Sequence, residues 1–199
     1  MHDNIKYVLN WFNNEVKPKG FTFDFSASHF FDTELLQHPD AKEFGCDPDF
    51  NAWTDMPNKK PNGDTNLRVA GGHIHVSYDN ADMFDSVELV KLFDLFLGVK
   101  SVLIDKDKRR RELYGKAGSF RFKDYPDGSE GFEYRTLSNF WISSIQGIEF
   151  IFSNIEKAFE MFDKGWRIEK GSVDADMIIE AINTSNEYLA KNIIKRFGI

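Results

Sequence analysis

The sequence predicts an α+β fold in which amphipathic helices pack on one face of an antiparallel sheet. Polar and aromatic residues alternate over 119–123 and over 132–136, and turn-forming residues separate the two runs, which predicts a β-hairpin. Apolar residues recur at helical spacing over 82–103 and 142–162, so each segment predicts an amphipathic helix. We therefore expect residues 1–199 to form a single domain with a sizeable core.

The composition limits the classes of function that the chain can have. Its formal net charge of -7 at pH 7 argues against non-specific binding to nucleic acid. No apolar run reaches the roughly 18–20 residues of a membrane span, and the N-terminus has no signal-peptide pattern. Cys46 is the single cysteine, which excludes a disulfide framework and a cysteine metal cluster. A cytoplasmic protein is expected, in the host cytoplasm if it is viral.

The N-terminal part of the chain predicts short elements of both kinds. Apolar residues over 4–16 have the spacing of an amphipathic helix, which Pro18 and Gly20 end. Phenylalanine alternates with polar residues over 21–25 and predicts a strand, which has to pair with another strand. A short helix is expected over 33–37.

Two loops follow. The loop over 44–53 carries Asp47, Asp49 and Asn51, and these residue types favour an ordered turn held by the neighbouring aromatic residues. The alternative is that the three side chains contact a substrate. The segment 54–66 is rich in proline and asparagine without an apolar run, which predicts a loop that could act as a lid.

A strand is expected over 67–78, and it carries the first candidate site. Gly71 and Gly72 indicate a bulge or a close approach of another backbone segment. His73 and His75 lie two residues apart and so share one face of the strand. A single strand histidine is usually structural, but the pair is equally well explained by a metal or phosphate site.

The hairpin has one charged face. Arg121 and Lys123 share a side of its first strand, and Glu133 and Arg135 share a side of its second strand. Such a face is usually solvated. Here cations outnumber carboxylates although the whole chain is acidic, which favours a site for phosphate and metal.

A glycine-containing loop leads into the hairpin. It contains Tyr114, Gly115, Lys116 and Gly118, and glycines allow backbone N–H groups to approach an anion. A run of basic residues precedes this loop; most are expected to be solvated, but Arg110 could reach a polyphosphate. The loop therefore predicts a phosphate site.

The C-terminal part predicts helices. After 142–162, a helix over 175–189 can be capped by Ser172 or Asp174, and the basic and apolar tail over 191–199 is expected to form a docking helix.

Three stretches carry a resemblance to a known family through their order and spacing. They are AGGHIHV over 70–76, LYGKAGSFR over 113–121 and FEYRTLSNFW over 132–141, and the loop over 44–53 also looks like a signature. The chain resembles the bacteriophage carboxylate–amine ligase family, type 2, across most of its length. That family belongs to the amidoligases, whose catalytic domain is similar to that of glutamine synthetase.

The resemblance implies a curved antiparallel sheet with helices behind it. ATP and divalent metal ions, Mg²⁺ or Mn²⁺, would bind on the open face. His73 matches the metal-binding histidine and Glu133 a metal ligand, and His75 occupies the position after the histidine. Lys116 and Arg121 match the basic pair that contacts phosphate.

The implied activity is an ATP-dependent ligase that joins a small-molecule or peptide carboxylate to an amine through an acyl phosphate. Arg135 matches an arginine that holds phosphate or the substrate carboxylate, so Arg121, Glu133 and Arg135 form the expected catalytic set. Related ligases usually begin with acidic strands that precede the first helix found here. We therefore expect a partner chain or an oligomer to supply those carboxylates.

Two other functions remain open at this stage. One is a non-catalytic or split half of such a ligase that binds a partner chain or a nucleotide. The other is a metal-dependent hydrolase that uses His73 and His75, which leaves the cationic hairpin face without a role.

Overall fold

The structure is a computed structural model, and the description covers residues 2–22, 24–44, 49–79 and 82–199. The predicted substrate contact at Asp47 lies outside these residues. Within them, the helices and strands follow the order α1 (His2–Val16), β1 (Ser28–Phe30), α2 (Pro39–Lys42), β2 (Phe50–Asn51), β3 (Met56–Pro57), β4 (Leu67–Val69), β5 (Ile74–Ser77), α3 (Met83–Phe93), α4 (Val99–Ile104), α5 (Arg110–Leu113), β6 (Ser119–Asp124), β7 (Glu130–Tyr134), α6 (Ile145–Asp163), α7 (Val173–Thr184) and α8 (Glu187–Phe197).

The main sheet has five strands in the order β3-β2-β6-β7-β5, and every neighbouring pair is antiparallel. The predicted hairpin is confirmed by β6 and β7, in which Phe122 lies opposite Phe132. The predicted α+β class, with an antiparallel sheet and helices, is therefore correct.

The predicted strand over 21–25 is wrong for the part that the structure describes. Residues 21, 22, 24 and 25 lie outside any strand. The backbone N–H and the hydroxyl of Ser26 both donate to Asp24, at 2.8 and 2.6 Å, and such local bonds compete with a strand ladder. The strand forms later, as β1, and pairs with β4 in a separate two-stranded sheet.

The predicted strand over 67–78 divides into β4 and β5, which belong to different sheets. The division falls at the two glycines. A Cβ atom on Gly72 would lie 2.3 Å from the carbonyl oxygen of Ser138 and 2.4 Å from Nε1 of Trp141. The predicted close approach of another backbone segment is therefore confirmed.

One helical run covers the apolar face of the main sheet. It comprises α3, a π-helical turn at Asp94–Gly98 and α4, and it begins at Asp82, whose side chain accepts from the N–H of Asp85 at 2.7 Å. Phe93 packs edge-on against Phe132 and Tyr134 of β7. The predicted helix over 82–103 is thus confirmed, with a π turn that its periodicity did not indicate.

The C-terminal helices complete this layer. Ser172 caps α7 by accepting from the N–H of Ala175, as predicted. Helix α8 docks through Ala190 and Ile193, which are fully buried. In the described part of the chain, none of the helices combines the length and apolar character that a bilayer span requires.

Candidate active site

A row of polar side chains crosses the face of the main sheet opposite the helices. His75 lies opposite Glu133, and Glu133 lies opposite Arg121. Phe50 pairs with Phe120, so the residue before β2 comes beside Arg121. That residue is Asp49, whose Oδ1 is 3.3 Å from Nε of Arg121. The face that the sequence predicted as charged therefore extends across four strands.

The guanidinium group of Arg135 lies between two carboxylates. Its Nε is 2.7 Å from Oδ1 of Asp49, and its Nη1 contacts Oε1 of Glu133. All three residues are at least nine-tenths buried. We call Asp49, Arg121, Glu133 and Arg135 the ion-pair cluster. Its charges balance in number, because two arginines face two carboxylates.

The two histidines contact the same carboxylate of the cluster. Nδ1 of His73 is 2.7 Å from Oε1 of Glu133, and Nε2 of His75 is 3.9 Å from that oxygen. Nζ of Lys123 is 3.5 Å from Oε2. The structure thus brings together the predicted residues of β5, β6 and β7 around Glu133.

The pKa values of the carboxylates follow from these contacts. Burial alone would raise the pKa of Glu133, but the hydrogen bond from His73 and the charge of Arg135 lower it to about 2. Burial raises the pKa of Asp49 despite the opposing charges of Arg135 and Arg121. Glu133 is therefore ionised at neutral pH, and burial of Asp49 costs more than its ion pairs recover.

Some buried polar atoms of the cluster lack a hydrogen bond. Within the described chain, Nε of Arg135, Oδ1 of Asp49 and Oε2 of Glu133 are buried and make none, although charged groups lie nearby. These contacts are ion pairs whose angles fall outside those of hydrogen bonds. Buried polar groups are usually satisfied, so the cluster has capacity for a polar ligand.

The predicted metal ligands do not fit a metal ion in this arrangement. Among the described residues, no group of three or more histidine, cysteine, aspartate or glutamate side chains is placed to hold one. His73 and Arg135 already contact Oε1 of Glu133, which leaves only Oε2. In this arrangement His73 lies 2.7 Å and His75 3.9 Å from Glu133, and the metal-binding role of the three residues stays a prediction.

Arg110 has a different role from the predicted contact with phosphate. Its side chain is buried, and its guanidinium donates to the carbonyl oxygens of Ala70, Thr136 and Arg135 at 3.0, 2.9 and 3.1 Å. Burial lowers the pKa of Arg110 to about 10, so it remains charged at neutral pH. Arg110 therefore fixes the segment before His73 against the end of β7 and positions the site rather than binding a ligand.

The glycine loop is also tied to the protein. The N–H of Gly118 donates to Oδ2 of Asp94 at 2.5 Å, and the N–H of Ala117 donates to Asn183 at 2.8 Å. A Cβ atom on Gly115 would lie 1.7 Å from Nη1 of Arg110, at a φ of +74°. The Gly118 amide thus holds the loop in place, and the contact of Gly118 with phosphate stays a prediction.

Asp94 is a site-forming residue that the sequence did not indicate. It is completely buried in the π turn and accepts from Trp53 Nε1, Tyr134 OH and Thr136 Oγ1, in addition to Gly118. Burial raises its pKa to about 6, against the effect of these hydrogen bonds. The only sequence signal is an acidic residue inside an apolar helical run, where a buried carboxylate needs several donors.

Asn51 has a structural role. Its side chain donates to Asn58 at 3.2 Å and to the carbonyl of Ala117 at 3.3 Å, and it accepts from the N–H of Trp53 at 2.9 Å. The side chain of Asn51 therefore holds an ordered turn, and its contact with a substrate stays a prediction. Asp49 remains at the site, in the ion-pair cluster.

A cleft of about 260 Å³ opens beside the ion-pair cluster. Asp49 belongs to both features. One wall is formed by the loop after β3, and the other by the glycine loop with the start of β6. The lining residues include Asn58, Lys59, Lys60, Tyr114, Gly115, Lys116 and Ser119. Three of the predicted phosphate-site residues, Tyr114, Gly115 and Lys116, thus line one wall of the cleft.

The fold and the site define an α+β protein with a charged sheet face and a lysine-bearing cleft, the type of site expected for an anionic ligand. Residues 65–159 match the family model described as Phage phiEco32-like COOH.NH2 ligase-type 2, and the match supports the family suspected from the sequence motifs. The matched segment is just under half of the chain and contains both histidines, the glycine loop and the hairpin. No curated protein and no solved structure matches the chain.

Proposed function

We propose that this protein is an ATP-dependent carboxylate–amine ligase. The family match supports ligase chemistry in general. The observation that carries the finer proposal is that Asp49 belongs to both the ion-pair cluster and the cleft. The cleft therefore adjoins Arg121 and Arg135 through Asp49, the carboxylate with which both arginines pair.

The proposed reaction has two steps. In the first, an oxygen of the substrate carboxylate attacks the γ-phosphorus of ATP, the bond to the β-phosphate oxygen breaks, and ADP leaves. In the second, the amine nitrogen attacks the carbonyl carbon of the acyl phosphate, inorganic phosphate leaves, and the nitrogen loses a proton. Both steps need negative charge to be stabilised where it develops, and fixed cations provide this.

The two arginines have unequal access to such a ligand. The side chain of Arg121 is 19% exposed, whereas that of Arg135 is 6% exposed. We assign Arg121 to direct contact with phosphate or carboxylate oxygens. Arg135, held by Glu133 and Asp49, supplies a fixed positive charge behind it. Glu133 is thus a positioning residue, which its low pKa suits because it stays ionised.

The remaining parts of the proposal concern fold, cofactors, assembly and location. We propose that the sheet is related to the glutamine synthetase catalytic sheet. Divalent cation, Mg²⁺ or Mn²⁺, would enter with the nucleotide, and no step here depends on it. The reaction requires ATP, so we place the protein in the cytoplasm, that of the host if it is viral.

We also propose that a second chain, a partner or another copy of this one, covers the N-terminal segment. Support comes from large apolar side chains that are exposed in this segment. They are Tyr7, Val8, Trp11, Phe12, Phe21, Phe25, Phe30, Phe31 and Leu35. Exposed apolar groups at this density are typical of protein–protein interfaces.

A second candidate function is a nucleotide-binding protein without turnover. The observation that favours it is the pairing of Arg135 with two carboxylates, which holds its charge away from a substrate. The hydrolase that was open from the sequence has no comparable support, because both histidines contact Glu133.

The two candidates are separated by trapping the acyl phosphate. The protein is incubated with ATP, Mg²⁺, a panel of carboxylates and hydroxylamine, and hydroxamate and ADP are measured together. A ligase gives both products in equal amounts, and Arg121→Gln abolishes both. ATP binding without formation of ADP or hydroxamate across the panel would support the second candidate instead.

A further inference from the structure

The free positive charge of the cleft comes from lysines. Among residues 2–22, 24–44, 49–79 and 82–199, no carboxylate lies within ion-pair distance of Nζ of Lys59, Lys60 or Lys116. Arg121 and Arg135, by contrast, lie close to Asp49. The cluster is balanced in charge, so the lysines determine the sign of the potential in the cleft.

We infer that Lys59 and Lys60, with Lys116 opposite them, form a binding site for the phosphate groups of a polyphosphate. Lysine binds phosphate as a mobile point charge, and three ammonium groups can offset most of the negative charge of a triphosphate. The inference rests on the proposed function only for the identity of that triphosphate as ATP. Neither Lys59 nor Lys60 was indicated by the sequence, because a short basic pair in a loop is usually solvated.

The size of the cleft agrees with phosphate groups. Its volume of about 260 Å³ is below the roughly 300–1,000 Å³ of pockets that bury a whole drug-sized ligand. Three of its lining residues, Lys59, Lys60 and Pro61, are consecutive and belong to one loop. The cleft therefore suits a phosphate chain, with any nucleoside outside it.

The backbone before the lysines is fixed. The N–H of Asn58 donates to the carbonyl of Asp49 at 2.6 Å, and its side chain donates to Ser119 Oγ at 3.3 Å. Asn58 also accepts from Asn51. Pro61 follows Lys60 and restricts it to an extended backbone. The two lysines therefore start from a defined position, which reduces the entropy that binding would cost.

The test measures binding of inorganic triphosphate by calorimetry, in wild type and in Lys59→Gln/Lys60→Gln. We expect the double variant to bind at least 10-fold more weakly, with less dependence on salt concentration. The matched control is Lys191→Gln/Lys195→Gln, which removes two exposed charges from α8. The control should change affinity less than 2-fold, since α8 belongs to the helical layer behind the sheet.

Three results would overturn the inference: no binding by wild type, equal binding by wild type and Lys59→Gln/Lys60→Gln, or an equal loss in the control. Parallel titrations with ATP and adenosine identify the source of the phosphate. The double variant should bind ATP more weakly than wild type does, as it should triphosphate. Adenosine should show the same binding to both proteins. If triphosphate binds as expected but no hydroxamate forms, the ligase proposal fails and this site stands.

Discussion

Nε of Arg135 lies 2.7 Å from Oδ1 of Asp49, and neither atom makes a hydrogen bond within the described chain. The attraction between them is therefore electrostatic and depends on charge more than on angle. Arg135 is only 5% exposed and Asp49 only 8% exposed. Removing either charge leaves the other one in a medium of low polarity.

The first prediction concerns this pair. Asp49→Ala should lower the free energy of unfolding by about 2–3 kcal/mol, somewhat less than the roughly 3–5 kcal/mol for breaking a buried pair, because Arg135 keeps Glu133. The control is Lys170→Ala, which removes an exposed pair with Asp55 that should contribute less than about 1 kcal/mol. Urea denaturation at pH 7 measures both. Equal losses would show that burial does not strengthen the Asp49 pairs.

The second prediction concerns the pH dependence that Glu133 causes. Its pKa falls from 4.5 to about 2 on folding, so its stabilising contribution is complete above pH 4.5 and disappears as the pH falls towards 2. Glu133→Gln should flatten the curve of unfolding free energy in this window. Glu156→Gln, at an exposed position on α6, should leave the curve unchanged. A wild-type slope in Glu133→Gln would contradict the low pKa.

The third prediction concerns Asp94. Its pKa rises from 3.8 to about 6 on folding, so protonation favours the folded state, and its contribution to stability increases as the pH falls from above 6 to about 4. Asp94→Asn should remove this increase and still fold. Its carbonyl oxygen can accept from Trp53 and Gly118, which only donate, and its NH₂ can face the hydroxyls of Tyr134 and Thr136.

Asp94→Leu provides the contrast. It leaves Trp53 Nε1–H and the Gly118 N–H without acceptors. Each unsatisfied buried donor should lower the free energy of unfolding by about 1–3 kcal/mol. Unfolding curves from pH 4 to 7.5 compare the two variants with wild type. If Asp94→Asn were as unstable as Asp94→Leu, the proposed amide orientation would be wrong.

The fourth prediction concerns Arg110. Arg110→Lys keeps the charge but cannot reach three carbonyl oxygens in one plane, so stability should fall by about 2–4 kcal/mol. Arg109→Lys is the control, since Arg109 is half exposed and pairs with Asp107 at 3.1 Å. Thermal unfolding followed by circular dichroism is the measurement. A small and equal effect for both variants would mean that Arg110 does not hold the site together.

The fifth prediction concerns assembly. Val8 and Trp11 are each 57% exposed on α1, and we expect the purified chain to sediment above its monomer mass of 23.1 kDa. Val8→Ser/Trp11→Ser should shift it towards the monomer. Phe84→Ser, at an aromatic residue that is 82% exposed at the start of α3, should not. A wild-type monomer at high concentration would remove the support for self-association and leave only a different partner chain.

The sequence predicted the polar face because its alternation is local. Spacing of two residues within each strand was sufficient to place Arg121 and Glu133 on one side of the hairpin. The contribution of Asp49 could not be predicted, because it depends on the pairing of β2 with β6, about 70 residues further along the chain. The same limit applies to Arg110, whose partners are carbonyl groups of distant segments that carry no side-chain signal.

The strand that the sequence misplaced shows a second limit. Alternating phenylalanines over 21–25 met the criterion for a strand, but alternation says nothing about a partner, and β4 pairs with β1 instead. Asp94 shows a third. A carboxylate in an apolar helix looks like an interruption until the four donors around it are known, and these come from three different segments.

The glycine loop, held by Asp94, Asn183 and Arg110, has a consequence for how long a ligand remains bound. A wall fastened through buried groups moves only when the core opens, which is rare and slow. In the facing wall the backbone is fixed at Asn58, but the side chains of Lys59 and Lys60 beyond it are exposed and can change rotamer far more often. Entry and escape of a bound anion are therefore governed by one wall, and residence time can change there without altering the shape of the other.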